Sequence, residues 1–317
     1  MKHMRITLNL IILAAFAAWV AAAAGAEASK KAPLPPQVDY NAEYVLGPDS
    51  QESPEIPQGE LREFLLEDSK AFPGFQRSWW LYIPRQYRAD RPAALMFFND
   101  GGGFRKRDGV WRVPVVLDNL IAKKDIPVMV AVFVNPGDTP LAPGEKPRER
   151  PDGRSLLPKN RGREYDVLGD RFARLLIEEM LPLVRLQVNI TDNPAGRGIA
   201  GSSSGGICAF TVAWERPDQF SKVFSAVGSF VRQGAAYPDL IRTHERKPLR
   251  VFLQDGENDQ VLEYGSWPEA NKAMAAALKA SGYDLQFAFG RGSHNPRHGA
   301  SIFPDAMRWL WRDYPRE

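Results

Sequence analysis

Residues 201–205 read Gly201-Ser202-Ser203-Ser204-Gly205, a G-x-S-x-G pentapeptide. A short apolar run, 197–200, precedes it. Apolar positions at Ile207, Phe210, Val212 and Trp214 follow at helical spacing, up to Arg216-Pro217. Strand, tight turn and helix in that order form a nucleophile elbow, which lifts one serine hydroxyl clear of the chain. The pattern points to Ser203 as a nucleophile for acyl transfer, and to an ester hydrolase. A serine hydroxyl needs an imidazole to take its proton and a carboxylate to orient that imidazole. The chain has four histidines: His3, His244, His294 and His298. His3 lies in the apolar N-terminal leader and His244 in the polar run Arg242-Thr243-His244-Glu245-Arg246-Lys247. His294 follows Gly290-Arg291-Gly292-Ser293, a turn able to swing it over the elbow; His298 suits packing against the last helix.

The acid is sought after a strand and before the histidine. Residues 251–259 offer Asp255, Glu257 and Asp259. Asp255 precedes a glycine turn and suits a role in loop structure. Asp259 is the first choice of acid and Glu257 the alternative. The order Ser203, Asp259, His294 is that of α/β-hydrolases. The developing oxyanion needs backbone donors. Ser204 N–H is one, and the loop Asp100-Gly101-Gly102-Gly103 after an apolar strand offers Gly101 and Gly102. A plain glycine turn is the other reading of that loop.

Around these residues, runs at 59–66 and 76–83 read as an antiparallel pair at a sheet edge. Apolar strands are expected at 93–98, 127–134, 223–227, 249–253 and 285–289. Helices are expected at 114–121, 168–181 (ending near Pro182), 268–280 and 301–311. Strands alternating with helices imply a mostly parallel central sheet covered on both faces. Residues 138–163 are rich in proline and arginine and read as a solvated loop or lid.

Composition fits a globular chain of 317 residues, 44% hydrophobic and 25% charged. Lys2 and Arg5 precede an uncharged, alanine-rich stretch ending in Ala24-Gly25-Ala26, the form of a signal peptide over 1–26. A proline-rich leader follows over 27–58, and a single catalytic domain spans 59–317. Periplasmic or secreted location is implied, with no stable membrane anchor after cleavage. Loss of the first 26 residues removes Lys2 and Arg5 and no acid, so the formal charge of +3 falls to +1. The basic balance therefore indicates no nucleic-acid partner. Cys208 is the lone cysteine, so no internal disulfide forms. His294 and His298 have metal-ligand spacing but no H-E-x-x-H pattern, and neither metal nor cofactor is expected.

Several segments together resemble the putative-esterase family of the α/β-hydrolases, most closely its enterochelin (iron-siderophore) esterase-like members and also its feruloyl esterases. They are Phe98-Asn99-Asp100-Gly101-Gly102, Leu117-Asp118-Asn119-Leu120-Ile121 with Ile126-Pro127, and Phe133-Val134-Asn135-Pro136-Gly137. Arg163-Glu164-Tyr165-Asp166, 200–206, 253–259 and Gly292-Ser293-His294-Asn295 complete the set, which covers about residues 60 to 315. The resemblance implies a metal-independent serine esterase for a small-molecule or carbohydrate ester, with Ser203 and His294 matching the family's nucleophile and base. It places Arg163 and Tyr165 near the site mouth, where they bind a substrate carboxylate or hydroxyl; a salt bridge and a core tyrosine is the alternative reading. Trp267, beside a predicted loop, is a candidate for substrate stacking. An acyltransferase to a sugar or lipid alcohol, or a non-catalytic carbohydrate or siderophore binder on the same scaffold, would share these motifs.

Overall fold

The structure, a computed structural model, describes residues 38–139 and 160–316. The expected signal peptide, most of the proline-rich leader and most of the 138–163 loop lie outside the described residues. The described residues from Tyr40 onward belong to one compact unit.

Its elements run in chain order as β1 (Glu60–Leu66), β2 (Arg77–Ile83), β3 (Ala94–Asn99), α1 (Gly101–Phe104), α2 (Val113–Ala122), β4 (Met129–Val134), α3 (Arg161–Tyr165) and α4 (Arg171–Arg174). A π-helical turn (Leu175–Met180) then leads into α5 (Leu181–Arg185). There follow β5 (Arg197–Ser202), α6 (Ser204–Glu215), β6 (Lys222–Ala226), α7 (Tyr237–Thr243), β7 (Arg250–Asn258), β8 (Val261–Leu262), β9 (Gly265–Ser266), α8 (Trp267–Ala280), β10 (Asp284–Ser293) and α9 (Pro296–Trp311). Eight strands form one sheet in the order β1-β2-β4-β3-β5-β6-β7-β10. The six from β4 to β10 are parallel, and β1 and β2 add an antiparallel edge. This is the α/β-hydrolase architecture that the alternation of apolar runs implies.

Strand side chains alternate between the faces, and both faces are covered, so the strands read as unbroken apolar runs. Leu95, Phe97, Val132, Ile199, Val223 and Val251 face a core with α6, α7 and α8. Met96, Phe98, Phe133, Ala200, Phe224 and Phe252 face a second core with α2 and α9. Truncating a buried ring such as Phe97 or Phe98 removes about 3–5 kcal/mol of stability.

Three boundaries differ from the sequence expectation. Pro182 does not end its helix. The preceding π turn loosens the hydrogen-bond ladder, and the proline sits in the first turn of α5, where its missing N–H is harmless. The last helix begins at Pro296 rather than 301, because Asn295 caps it, its Oδ1 accepting from Arg297 N–H at 2.9 Å. Gly256 marks no turn: β7 continues through it to Asn258. A Cβ there would lie 2.2 Å from Gly292 O, so glycine allows β7 and β10 to approach closely. Asp255 is therefore a strand residue, fully buried.

Residues 40–58 are tied to the fold by hydrogen bonds. Asn119 Nδ2 donates to Asp49 O (3.0 Å) and Gln51 O (2.9 Å), and Arg308 Nη2 to Asp49 Oδ2 (2.6 Å).

Candidate active site

The elbow is built from glycines that leave room and hydrogen bonds that remove freedom. Ser203 sits between β5 and α6 with φ 59° and ψ −123°, a conformation that costs a non-glycine residue about 1–3 kcal/mol. It persists because its backbone is held on both sides. Ser203 N–H donates to Ala226 O at 2.9 Å, and Ser203 O accepts from Gly206 N–H at 2.9 Å and Ser229 N–H at 3.1 Å. A Cβ on Gly201 would lie 2.0 Å from Gly205 O, and one on Gly206 would lie 2.6 Å from Ser225 Oγ. The turn can therefore be this tight only with glycine at both places.

His294 stands between β10 and α9. Residues 290–293, expected as a turn, are the irregular end of β10, where the register shifts between Gly290 and Ser293. This strand end is clamped by the chain's early residues: Ser293 N–H donates to Asn41 Oδ1 (3.1 Å), Asn41 Nδ2 to Ser293 Oγ (2.7 Å) and Arg291 N–H to Tyr44 Oη (2.9 Å). Asp259 lies just past β7, with its N–H on Gly256 O at 3.1 Å. The three side chains meet. Ser203 Oγ is 2.9 Å from His294 Nε2, and His294 Nδ1 is 2.6 Å from Asp259 Oδ1. The Asp259 side chain is wholly buried and that of His294 is 20% exposed, so the imidazole alone of the pair faces incoming molecules. Glu257 points away from this line; it is exposed, with Oε1 3.5 Å from Arg291 Nε. His298 lies one turn into α9, stacked on Tyr44 at 4.1 Å with Nδ1 2.9 Å from Gln254 Nε2. Burial lowers its basicity.

Behind Asp259 is Asp255. Burial, reinforced by the hydrogen bond and charge of Asp259, pushes the Asp255 carboxyl up to about 9. Burial beside a second carboxyl group favours the protonated form of Asp255.

Two helix starts converge on the elbow. Ser204 opens α6 and Gly101 opens α1, and N–H groups in a first helical turn have no partner within the helix. The two starts touch: Asn99 Nδ2 donates to Gly205 O at 3.1 Å, and a Cβ on Gly205 would meet Asp100 Oδ2 at 2.9 Å. Gly102 N–H is engaged, donating to Asn135 Oδ1 at 2.9 Å.

Of the Arg163-Glu164-Tyr165 run, Arg163 is exposed and Tyr165 is fully buried, its hydroxyl accepting from Asp100 N–H at 3.2 Å. Glu164 forms a fully buried pair with Arg77, at 2.9 and 3.1 Å, which fixes α3 to β2. One helical turn before Tyr165, Arg161 grips Asp100 with two bonds, 2.8 Å from Nε and 2.6 Å from Nη2, and its Nη2 lies 3.3 Å from Ser202 O. Burial opposes the Arg161 charge, but the Asp100 carboxylate outweighs it and holds the guanidinium above its ordinary range.

Trp267 is 2% exposed, so its ring offers no open platform. It stands edge-on to His294 at 5.6 Å, and its Nε1–H donates to Ser229 Oγ at 3.3 Å. Ser229 Oγ in turn lies 3.2 Å from Ser203 Oγ. The outer rim is the hairpin β8–β9, which exposes Val261, Leu262 and Tyr264. Arg232 stacks on Tyr264 at 4.8 Å and approaches Asp166 at 3.7 Å. Among the described residues no group of three or more His, Cys, Asp or Glu side chains is arranged to hold a metal ion.

Such an arrangement can pass a proton from a serine to an imidazole, which attack on a carbonyl carbon requires. The family model described as "Putative esterase" matches residues 71–295. The chain belongs to this esterase family. It is 26% identical over 240 residues to the iron(III) enterobactin esterase of Escherichia coli, an alignment covering 73% of this chain and 52% of that protein. It is 22% identical over 248 residues to the uncharacterized protein YbbA of Bacillus subtilis, covering 74% and 92% respectively. The chain thus spans about half the length of the E. coli esterase and most of the B. subtilis protein. Among solved structures, the enterobactin esterase of Shigella flexneri superposes with a TM-score of 0.63 at 20% identity, over 82% of this chain and 60% of that one. The ferulic acid esterase of Anaeromyces mucronatus superposes with a TM-score of 0.61 at 14% identity, over 82% and 93%. These likenesses share the fold.

Arg161 and Ser229, which motif reading passed over, lie beside the elbow, and Asp255, read from the sequence as a loop residue, stands behind Asp259 in β7. Arg161 was within reach of motif reading: on a helix, residues 161 and 165 share a face and 163 does not.

Proposed function

We propose that the protein is a serine carboxylic ester hydrolase that works through an acyl-enzyme on Ser203. The observation that carries this reading is the unbroken line from Ser203 Oγ to His294 Nε2 at 2.9 Å and from His294 Nδ1 to Asp259 Oδ1 at 2.6 Å. In acylation Ser203 Oγ bonds to the ester carbonyl carbon while its proton moves to His294 Nε2. The carbonyl π pair moves onto oxygen, where the N–H groups of Ser204 and Gly101 receive it. Collapse expels the alcohol, which takes the proton from His294. Water then repeats the sequence on the acyl-enzyme, with His294 again as base. Asp259 holds the imidazole in the tautomer with Nδ1 protonated.

The substrate is a small-molecule or carbohydrate ester. Relatives named for enterobactin and ferulic acid support that class, and the rim formed by Tyr264, Val261 and Leu262 adds apolar surface for an aromatic acyl or alcohol group. Export is part of the proposal, resting on Lys2, Arg5 and the alanine-rich stretch to Ala26; mature protein beginning at Glu27 in a periplasmic or culture fraction would bear it out.

The test is turnover of p-nitrophenyl butyrate, with labelling by a fluorophosphonate. Ser203→Ala should lower turnover by about 10⁴-fold or more and remove labelling. Full turnover in that variant would end the proposal. A panel of ethyl ferulate, acetylated xylan and a catecholate triester then sorts the substrate.

A further inference from the structure

With His294 acting as the neutral base of the proposed reaction, the hydrogen-bond partners of Ser203 leave one way to place the hydrogens. An indole N–H can only donate, so at the 3.3 Å contact Ser229 Oγ is the acceptor. A carboxylate can only accept, so His294 carries its hydrogen on Nδ1, facing Asp259. His294 Nε2 then holds a lone pair, and the single Ser203 hydrogen points at it across 2.9 Å. With that hydrogen committed, the 3.2 Å contact between the two serine oxygens requires Ser229 to donate. Every donor runs one way: Trp267 to Ser229, Ser229 to Ser203, Ser203 to His294, and His294 to Asp259.

We infer that Ser229 is a catalytic residue of this site: held in one orientation by the Trp267 indole, it donates a hydrogen bond to the reacting oxygen of Ser203. The inference rests on the serine-hydrolase reading above. Ser229 is 1% exposed and Trp267 2%, so no bulk water competes for either group. Ser229 is also fixed through its backbone, its N–H donating to Ser203 O at 3.1 Å. At 3.2 Å the side-chain contact is longer than an ordinary hydroxyl–hydroxyl bond of about 2.8 Å. Hydrogen bonds to oxygen shorten and strengthen as the oxygen gains charge. A donor that is loose in the resting enzyme and tight at the moment of attack acts on the barrier rather than on substrate binding.

The Ser229 proton stays on Ser229 throughout. During attack the Ser203 proton goes to His294 Nε2 and the Ser203 Oγ–carbon bond forms. During deacylation that bond breaks, its electron pair returns to Ser203 Oγ, and His294 returns the proton. In both halves Ser229 stabilises negative charge on the same atom, so both rates should depend on it, whatever alcohol the substrate carries.

Three variants decide the matter: Ser203→Ala, Ser229→Ala and Trp267→Phe. Each is measured for burst-phase acylation and for deacylation with p-nitrophenyl butyrate, and for melting temperature. Loss of one donor to a charged oxygen predicts that Ser229→Ala slows both steps by about 10- to 100-fold. KM should change by less than about threefold and the melting point by about 2 °C or less. Trp267→Phe keeps an aromatic ring but frees the Ser229 hydroxyl to rotate, and should slow both steps by about 3- to 10-fold. Both rates of Ser229→Ala within twofold of wild type, with Ser203→Ala inactive, would overturn this inference and leave the hydrolase reading standing. Full turnover by Ser203→Ala would overturn both. If Ser229→Ala does not fold, Trp267→Phe decides alone, and unchanged rates there overturn the inference.

Discussion

Backbone in the left-handed half of conformational space occurs at both ends of the sheet, for different reasons. At the carboxyl end, neighbouring strands β3, β5 and β6 are each followed by such a residue: Asp100 (φ 56°), Ser203 (φ 59°) and Val227 (φ 43°). At the amino end, Lys124 (φ 59°) closes α2. Lys124 is explained by its neighbours in sequence: Lys124 N–H donates to Ile121 O at 3.0 Å and Asp125 N–H to Leu120 O at 2.9 Å, a Schellman closure. The three at the carboxyl end are held from a distance. Val227 N–H donates to Gln254 O at 2.7 Å and Ser203 N–H to Ala226 O at 2.9 Å, while Asp100 is gripped by Arg161. β-Branched residues such as Val227 almost never adopt positive φ. Strain that local geometry does not require, repeated at three adjacent strand ends around one hydroxyl, marks where the fold spends stability on position.

The largest expected effect attacks that distant support. Gly201→Ala places a methyl 2.0 Å from Gly205 O, so the elbow must open; soluble yield should collapse, and any folded protein should be at least about 100-fold less active toward p-nitrophenyl butyrate. Next is Glu164→Gln, which strands a buried Arg77 charge and loosens the helix that carries Arg161. Urea titration should show a loss of about 3–5 kcal/mol; a loss below about 1 kcal/mol would mean that the grip on Asp100 is local after all.

Asp255→Asn tests the buried carboxyl pair. Because the folded protein holds the Asp255 proton far more tightly than the unfolded chain does, its contribution is complete below the ordinary aspartate range near pH 4. It is lost as pH rises toward about 9, by up to about 1.4 kcal/mol per pH unit. Unfolding of the wild type followed from pH 5 to 9 should show this decline, and the asparagine variant should be flatter; identical curves would remove Asp255 from the account. The smallest effect belongs to the locally explained residue. Lys124→Gly should raise stability by about 0.5–1 kcal/mol and leave turnover unchanged; a loss would show that Lys124, too, is held from elsewhere.

What was legible in the sequence divides along the same line. Ser203, Asp259 and His294 each follow a strand within a short glycine-containing motif, so their order along the chain already suggested a common purpose. The parallel sheet was legible because runs such as 93–98 and 127–134 are apolar on both faces. Ser229 was not, since it lies in an ordinary loop after β6 and matters only because two turns meet in space. Gly256 was misleading because a glycine that starts a turn and one that lets two strands touch look the same in one dimension. Trp267 sits beside a loop, but as the first residue of α8 it turns inward.

The ties from Asn41 and Tyr44 to the end of β10, just before His294, have a practical consequence for anyone shortening the N-terminus. A chain started at Gly59 retains the ten strands of the described residues and both apolar layers and should still ripen into a folded particle. The irregular end of β10 that carries its imidazole would, however, lose its outer clamp, and the trimmed enzyme would look healthy by spectroscopy while turning over slowly. The safe place to cut is upstream of Tyr40.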